Sequence, residues 1–310
     1  MARVFVTRQI PGPALERLKQ RHHTAVWPDR EPPSYEQIRT QAQTADGLLT
    51  MLSDRIDREL ITAAPQLKVI SNYAVGYDNI DTRAAGEHQV AVGHTPDVLT
   101  DATADLAWVL LLALARGLPQ ASAAGARGDW GTWQPLEFLG AEVYGATLGI
   151  IGAGRIGRAV AERASGFKMT VLTAGRGDRN ALEHLLTNSD FVSLHCPLTE
   201  DTHHLINAEA LARMKPTAFL INTARGPIVD QAALLRALNK DQIAGAGLDV
   251  TDPEPLPPKH PLHKAPNLII TPHIGSATHT ARTKMAEIAV DNLLAGLTGE
   301  PLPHAVPKPT

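Results

Sequence analysis

The stretch Thr147-Leu-Gly-Ile-Ile-Gly-Ala-Gly-Arg-Ile-Gly-Arg-Ala-Val-Ala-Glu-Arg-Ala164 decides how the rest of the chain is read. Leu148 to Ile151 form a short uncharged apolar run, the pattern of a strand covered on both faces. Gly152, Gly154 and Gly157 follow at the spacing G-x-G-x-x-G, and Arg158 to Ala164 continue as helix. Where side chains are missing at these positions, backbone can approach a pyrophosphate at a helix N-terminus. A glycine triplet alone is a weak signal. Between a strand and a helix it predicts a dinucleotide-binding turn, with Arg155 and Ile156 in the first helical turn.

The next strand, Met169 to Thr173, predicts which dinucleotide is taken. An acid at its end would bind a ribose 2′-hydroxyl, whereas a nearby arginine accommodates a 2′-phosphate. The strand runs into Ala174-Gly175-Arg176, so NADP(H) is favoured. NAD(H) is the alternative, carried by Asp178 three residues beyond Gly175.

Further out, both halves of the chain alternate short strands with helices. Strands are expected at Val4–Thr7, Gly47–Leu49, Leu67–Ile70 and Val90–Gly93. A second series covers Thr147–Ile151, Met169–Thr173, Phe191–Leu194, Ala218–Asn222, Ala244–Asp249 and Leu268–Thr271. Such alternation predicts an α/β fold with parallel sheets. With 310 residues, two domains are expected. The chain has 29 basic and 32 acidic residues, a net charge of −3, so no positive field draws nucleic acid or an anionic membrane. Cys196 is the one cysteine, which excludes an intrachain disulfide and a cysteine-based zinc site, and no metal is expected. The longest apolar run, Leu106 to Ala115, is too short to span a bilayer and reads as a core helix. A cytoplasmic location is the expectation.

In open parallel sheets ligands sit beyond the carboxyl ends of the strands, so polar residues there carry the chemistry. Arg225 follows the strand ending near Asn222, Glu254 follows the Ala244–Asp249 strand, and His273 follows the Leu268–Thr271 strand. A guanidinium forks onto a carboxylate, a histidine gives or takes a proton, and a carboxylate paired with that histidine orients it. Together they suit hydride reduction of a small 2-oxo acid. His273 is then the general acid, Arg225 the substrate anchor and Glu254 the partner of His273.

The chain resembles the D-2-hydroxyacid dehydrogenases, and within them the glyoxylate/hydroxypyruvate reductases. The resemblance rests on Ser71-Asn-Tyr-Ala-Val-Gly-Tyr-Asp-Asn-Ile-Asp81, Thr147 to Gly157, Asn222-Thr-Ala-Arg-Gly226, Gly247-Leu-Asp-Val-Thr-Asp-Pro-Glu-Pro255 and Pro272-His-Ile-Gly-Ser-Ala-Thr278. It implies two Rossmann-like domains separated by a cleft: a flavodoxin-like substrate domain, residues 1–98 with 280–310, and a doubly wound dinucleotide-binding domain, residues 99–279. It implies Arg225, Glu254 and His273 in the roles just given. Val75 and Gly76 would hold the substrate carboxylate through backbone N–H groups, with Leu52 and Ser53 on a second loop. Thr103, Gly152, Gly154, Arg155, Ile156, Gly157, Gly175, Arg176, Cys196, Pro197, Thr223, Ala224, Asp249, His273 and Gly275 would line the cofactor. The products would be glycolate and D-glycerate. Hinges are expected at Leu99-Thr100 and near His279-Thr280, and a homodimer through the arm after Leu118 that carries Trp130 and Trp133. The same resemblance extends to D-3-phosphoglycerate and phosphite dehydrogenases. It extends also to dinucleotide-sensing corepressors, a different class that turnover of any 2-oxo acid would set aside.

Overall fold

Runs of branched apolar residues set the strands, and in a computed structural model describing residues 1–307 they assemble into two sheets, each wholly parallel. The chain divides into two compact units, residues 1–99 with 277–310 and residues 100–276. The crossings fall one residue after and three residues before the positions read from the sequence. Residues 308–310, the end of the expected substrate-domain tail, lie outside the described residues.

The first unit has five strands: β1 (Arg3–Val6), β2 (His23–Val26), β3 (Gly47–Thr50), β4 (Val69–Asn72) and β5 (Ala91–Gly93). Their order is β2-β1-β3-β4-β5, the flavodoxin-like winding, with the order reversing between β1 and β3. β2 is absent from the sequence reading. It is a half-exposed edge strand, and four residues beginning with two polar ones give too little apolar signal. The helix His279–Thr298 packs Ala286, Val290 and Leu293 against Val4, Val6 and Leu49 on one face of this sheet. Behind the other face, Ile38, Leu60, Ile61 and Ala84 cover Phe5, Leu48 and Ile70. The tail returns beside β5, where Val306 N–H donates to Val92 O at 2.9 Å.

The second unit has β6 (Thr147–Ile151), β7 (Thr170–Ala174), β8 (Phe191–Leu194), β9 (Phe219–Asn222), β10 (Gly245–Leu248) and β11 (Leu268–Ile270), in the order β11-β10-β9-β8-β6-β7. The winding direction changes where β6 lies between β7 and β8, so the crevice of an open sheet opens at the C-terminal end of β6. The apolar run 106–115 lies in the helix Thr100–Ala115, as expected of a core helix. Small residues in β10 let it approach, since a Cβ on Gly247 would come 3.1 Å from Leu110 and Leu114. Among the described residues no single helix is long and apolar enough to cross a membrane.

Candidate active site

Gly152 leaves β6 with φ +94°, a conformation that L side chains rarely adopt. Its N–H donates to Ala174 O at the end of β7 (3.0 Å), and a Cβ here would come 2.5 Å from the backbone nitrogen of Cys196 at the end of β8. A Cβ on Gly157 would collide with the Gly152 carbonyl, whereas at Gly154 it would meet open space. The helix Arg155–Ala164 starts at Gly154 with no side chain capping it, so the amides of Arg155, Ile156 and Gly157 begin a helix whose positive end faces outward. Ala153 to Arg155 are exposed. Past β7, Gly175 is open and Arg176 pairs with Asp201 at 3.2 Å, both side chains mostly in solvent. Asp178 is engaged otherwise: its carboxylate caps the helix Arg179–Asn188 by accepting from Ala181 N–H at 2.9 Å.

The three polar residues of the sequence reading follow three adjacent strands. Asn222, Leu248 and Ile270 are register partners across β9, β10 and β11, so Arg225, Glu254 and His273 depart from the same end of the sheet. Buried Asn222 folds the end of β9 into a turn by donating to Arg225 O (2.8 Å) and accepting from Ala224 N–H (3.0 Å). Arg225 is half-buried, and its guanidinium donates to Ala224 O at 2.8 Å. The following Gly226 lies against the Thr251 carbonyl so closely that no Cβ fits, which seats the Arg225 turn directly on the loop carrying Glu254. That loop is tied by Thr251 Oγ1 to Pro253 O (2.9 Å) and by the Gln231 amide to Asp252 O.

Nδ1 of His273 is hydrogen-bonded to Oε1 of Glu254, with the two side chains 23% and 34% exposed. A carboxylate accepts only, so the proton sits on Nδ1 and Nε2 is the nitrogen left to act. His273 has φ +53°, a left-handed conformation that costs a non-glycine residue about 1 kcal/mol. Asp249 offsets it. The Asp249 carbonyl accepts from His273 N–H (2.9 Å), and its carboxylate accepts from Thr271 Oγ1 (2.6 Å), Ile274 N–H (2.8 Å) and Gly275 N–H (2.8 Å). Burial still pushes the Asp249 carboxyl above its usual range, against the pull of those donors. Thr103, in the first turn of the helix Thr100–Ala115, packs on Gly275, where a Cβ would come 3.3 Å from its methyl group.

Thr223 Oγ1 is buried with no hydrogen-bond partner among the described residues, beside half-buried Ala224. Cys196 is buried, with its thiol pushed up to about 11, and Pro197 beside it is exposed. Both neighbour the Gly152 turn through the Cys196 backbone. Burial likewise pushes His195, bonded to Ser193 Oγ at 2.8 Å, down to about 4.

In the first unit, Leu52 and Ser53 lie on the loop after β3, and Val75 and Gly76 on the loop after β4. Asp54, which the sequence reading missed, fixes the first loop by accepting from Met51 N–H (2.7 Å) and Thr7 Oγ1 (2.5 Å). Asn79, also missed, joins the two loops, since its amide donates to Met51 O and Asp54 O while its oxygen accepts from Asn72. Asn79 lies within the Ser71–Asp81 motif and Asp54 directly follows Ser53, but an amide or acid that binds backbone leaves no spacing by which to be recognised.

The sequence profile of the D-isomer specific 2-hydroxyacid dehydrogenase NAD binding domain matches residues 108–275. The chain is 48% identical to the glyoxylate reductase of Korarchaeum cryptofilum, over 98% of its own length and 95% of the relative's. The chain belongs to the D-isomer specific 2-hydroxyacid dehydrogenases. It is also 47% identical to the glyoxylate reductase of Thermococcus onnurineus, with the same two coverages. Among solved structures, a Thermus thermophilus protein superposes with TM-score 0.92 at 49% identity, covering 98% of this chain and all of that one. The NADPH-dependent glyoxylate/hydroxypyruvate reductase of Sinorhizobium meliloti, solved with NADP and malonate, gives 0.88 at 33% identity, covering 99% and 97%. The dehydrogenase is therefore an NAD(P)-dependent enzyme, and its residues fit the cofactor. The Gly152–Gly157 turn leaves backbone bare at an uncapped helix start, the chemistry a pyrophosphate fits, and the Thr223 hydroxyl, two residues before Arg225, is a buried polar group lacking, among the described residues, the partner that a ligand would provide.

Proposed function

We propose that this dehydrogenase reduces glyoxylate to glycolate, and hydroxypyruvate to D-glycerate, with NADPH as the preferred reductant. The observation that carries the reading is the His273 Nδ1 bond to Glu254, one strand away from Arg225. A reduced nicotinamide, when bound, supplies the hydride for the keto carbon. His273 gives the proton of Nε2 to the keto oxygen as it becomes a hydroxyl, and Glu254 steadies the ring through that change. Arg225 forks onto the substrate carboxylate and polarises the neighbouring carbonyl. In the first unit, the N–H groups of Val75 and Gly76, with the Leu52-Ser53 loop, are donors suited to a substrate carboxylate. Asp249 and Thr103, with Gly275, form the wall for the nicotinamide carboxamide, and Cys196-Pro197 the wall for the adenosine.

Open Gly175 and exposed Arg176, with Asp178 spent on a helix cap, favour a 2′-phosphate over a free ribose. The arm after Leu118 supports a homodimer: Trp130 and Trp133 are 73% and 77% exposed, and Leu136 and Leu139 lie open beside them. The test is steady-state oxidation of NADPH and NADH with glyoxylate, hydroxypyruvate, 3-phosphohydroxypyruvate and pyruvate, and reduction of NADP with phosphite. Turnover highest with glyoxylate and NADPH is expected. Absence of turnover with every 2-oxo acid would sink the reading.

A further inference from the structure

Three successive carbonyls in the loop after β4 are each held by a donor from elsewhere in the first unit. Ala74 O accepts from Thr95 N–H at 2.8 Å, Val75 O is bonded to His94 Nδ1 at 2.7 Å, and Gly76 O accepts from Asn72 Nδ2 at 2.9 Å. A carbonyl has no proton to give, so His94 Nδ1 is the donor and its tautomer is fixed. In a planar trans peptide the N–H points opposite to the C=O. Anchoring these three carbonyls therefore turns the N–H groups of Val75, Gly76 and Tyr77 away from their anchors. Among the described residues no hydrogen bond engages those three N–H groups. The loop is a short run of peptide dipoles held with their positive ends outward, an arrangement that suits an anion.

The three anchors differ in what they depend on. Thr95 contributes backbone, which no substitution removes cleanly. Asn72 is also bonded to Thr50 and Asn79. His94 anchors through its side chain, while its backbone is fixed separately: its N–H donates to His304 O, and its carbonyl accepts from the amide of fully buried Asn292, each at 3.0 Å. Its ring also meets Tyr77 edge-on, with ring centres 5.6 Å apart. If the Val75 carbonyl is released, the Val75–Gly76 peptide can rotate, and glycine at position 76 offers little steric resistance. Rotation would turn the Gly76 N–H inward and remove a donor from the run.

We infer that His94 is a positioning residue for the substrate carboxylate, holding the Val75–Gly76 peptide so that the Gly76 N–H stays directed at the anion. This rests on the proposed reading of the Val75–Gly76 loop as a carboxylate site. His94 touches no reacting atom, so its loss weakens recognition of the charged substrate and leaves turnover at saturation nearly intact.

The experiment compares His94→Leu with His94→Asn, whose amide can still donate to Val75 O. With His94→Leu, the KM for glyoxylate should rise about tenfold, the scale of one hydrogen bond. Its kcat and its KM for NADPH should stay within about twofold of the wild type. His94→Asn should recover most of the lost affinity. Should the leucine variant not fold, His94→Phe keeps the edge contact with Tyr77 and lacks the donor. Unchanged KM in the donor-less variant, equal damage in His94→Asn, or a kcat loss matching the KM change would overturn the inference. Backbone amide NMR of the NADP complex, titrated with glycolate, separates the two levels. Wild-type Val75 and Gly76 signals should move, and they should move less, at higher glycolate, in His94→Leu. If they do not move in the wild type, the carboxylate reading falls and the inference with it. If they move identically in both proteins, the inference falls alone.

Discussion

The two units present different chemistry at the ends of their parallel sheets. In the second, three charged or ionisable side chains, Arg225, Glu254 and His273, leave adjacent strands β9, β10 and β11. In the first, the corresponding loops around Leu52-Ser53 and Val75-Gly76 offer mainly backbone, arranged by Asp54, Asn72, Asn79 and His94. The difference teaches a division of labour. Proton transfer needs a titratable group, so side chains carry it. Recognition of a small anion needs only N–H groups held still, so backbone suffices once its carbonyls are anchored. Substitutions at the proton-transfer pair of the second unit, His273 and Glu254, should thus change kcat, and those at the backbone anchors of the first should change KM.

The largest effect expected is at His273. His273→Ala should lower kcat with glyoxylate by about 10²–10⁴, the usual loss for a general acid, with the Kd of NADPH unchanged by fluorescence titration. A KM-only defect would break the contrast between the units. Arg225→Lys comes next, since a point charge does not replace a planar fork; kcat/KM for glyoxylate should fall by about 10². An unchanged kcat/KM would remove the guanidinium from recognition. Arg176→Ala should raise the KM for NADPH about tenfold, a 2′-phosphate losing one ion-paired contact, and leave NADH unaffected. Equal losses with both cofactors would make Arg176 structural.

The smallest effect concerns a group in the second unit that takes no part in the proposed chemistry. Burial holds His195 at about 4, below its ordinary 6.5, so between those values the unfolded chain takes up a proton that the folded one refuses. Stability contributed by neutral His195 is complete above pH 6.5 and is lost as pH falls toward 4, by at most about 3 kcal/mol. His195→Gln should flatten that loss in urea midpoints measured across the window. A slope equal to the wild type would show that His195 titrates normally.

How much of this was legible in the sequence follows the same division. Strand β6 has the bounds read from its residues, because an apolar run ending in glycines at fixed spacing is a pattern of residue types. The placement of Arg225, Glu254 and His273 at one end of the sheet was legible for the same reason, each being an ionisable side chain that follows an apolar strand. The edge strand His23–Val26 was not, since half its residues face solvent and its pairing with β1 is set by neighbours far away in sequence. Nor were Asp54, Asn79 and His94. Their work is to bind main-chain groups, and any donor or acceptor in the right place can do that. The helix cap by Asp178 was hidden by proximity, since an acid about twenty residues past the glycine turn reads as a ribose ligand until its bond to Ala181 is seen.

At the centre of the account, Glu254 acts through His273. The most direct measurement is a double-mutant cycle in kcat for glyoxylate reduction, using His273→Ala, Glu254→Gln and the pair. Glu254→Gln alone should lower kcat by about 10–10², less than His273→Ala. Added to His273→Ala it should cost almost nothing more, because the ring it orients is gone. Losses that multiply fully in the double variant would contradict the account, placing Glu254 in a role of its own.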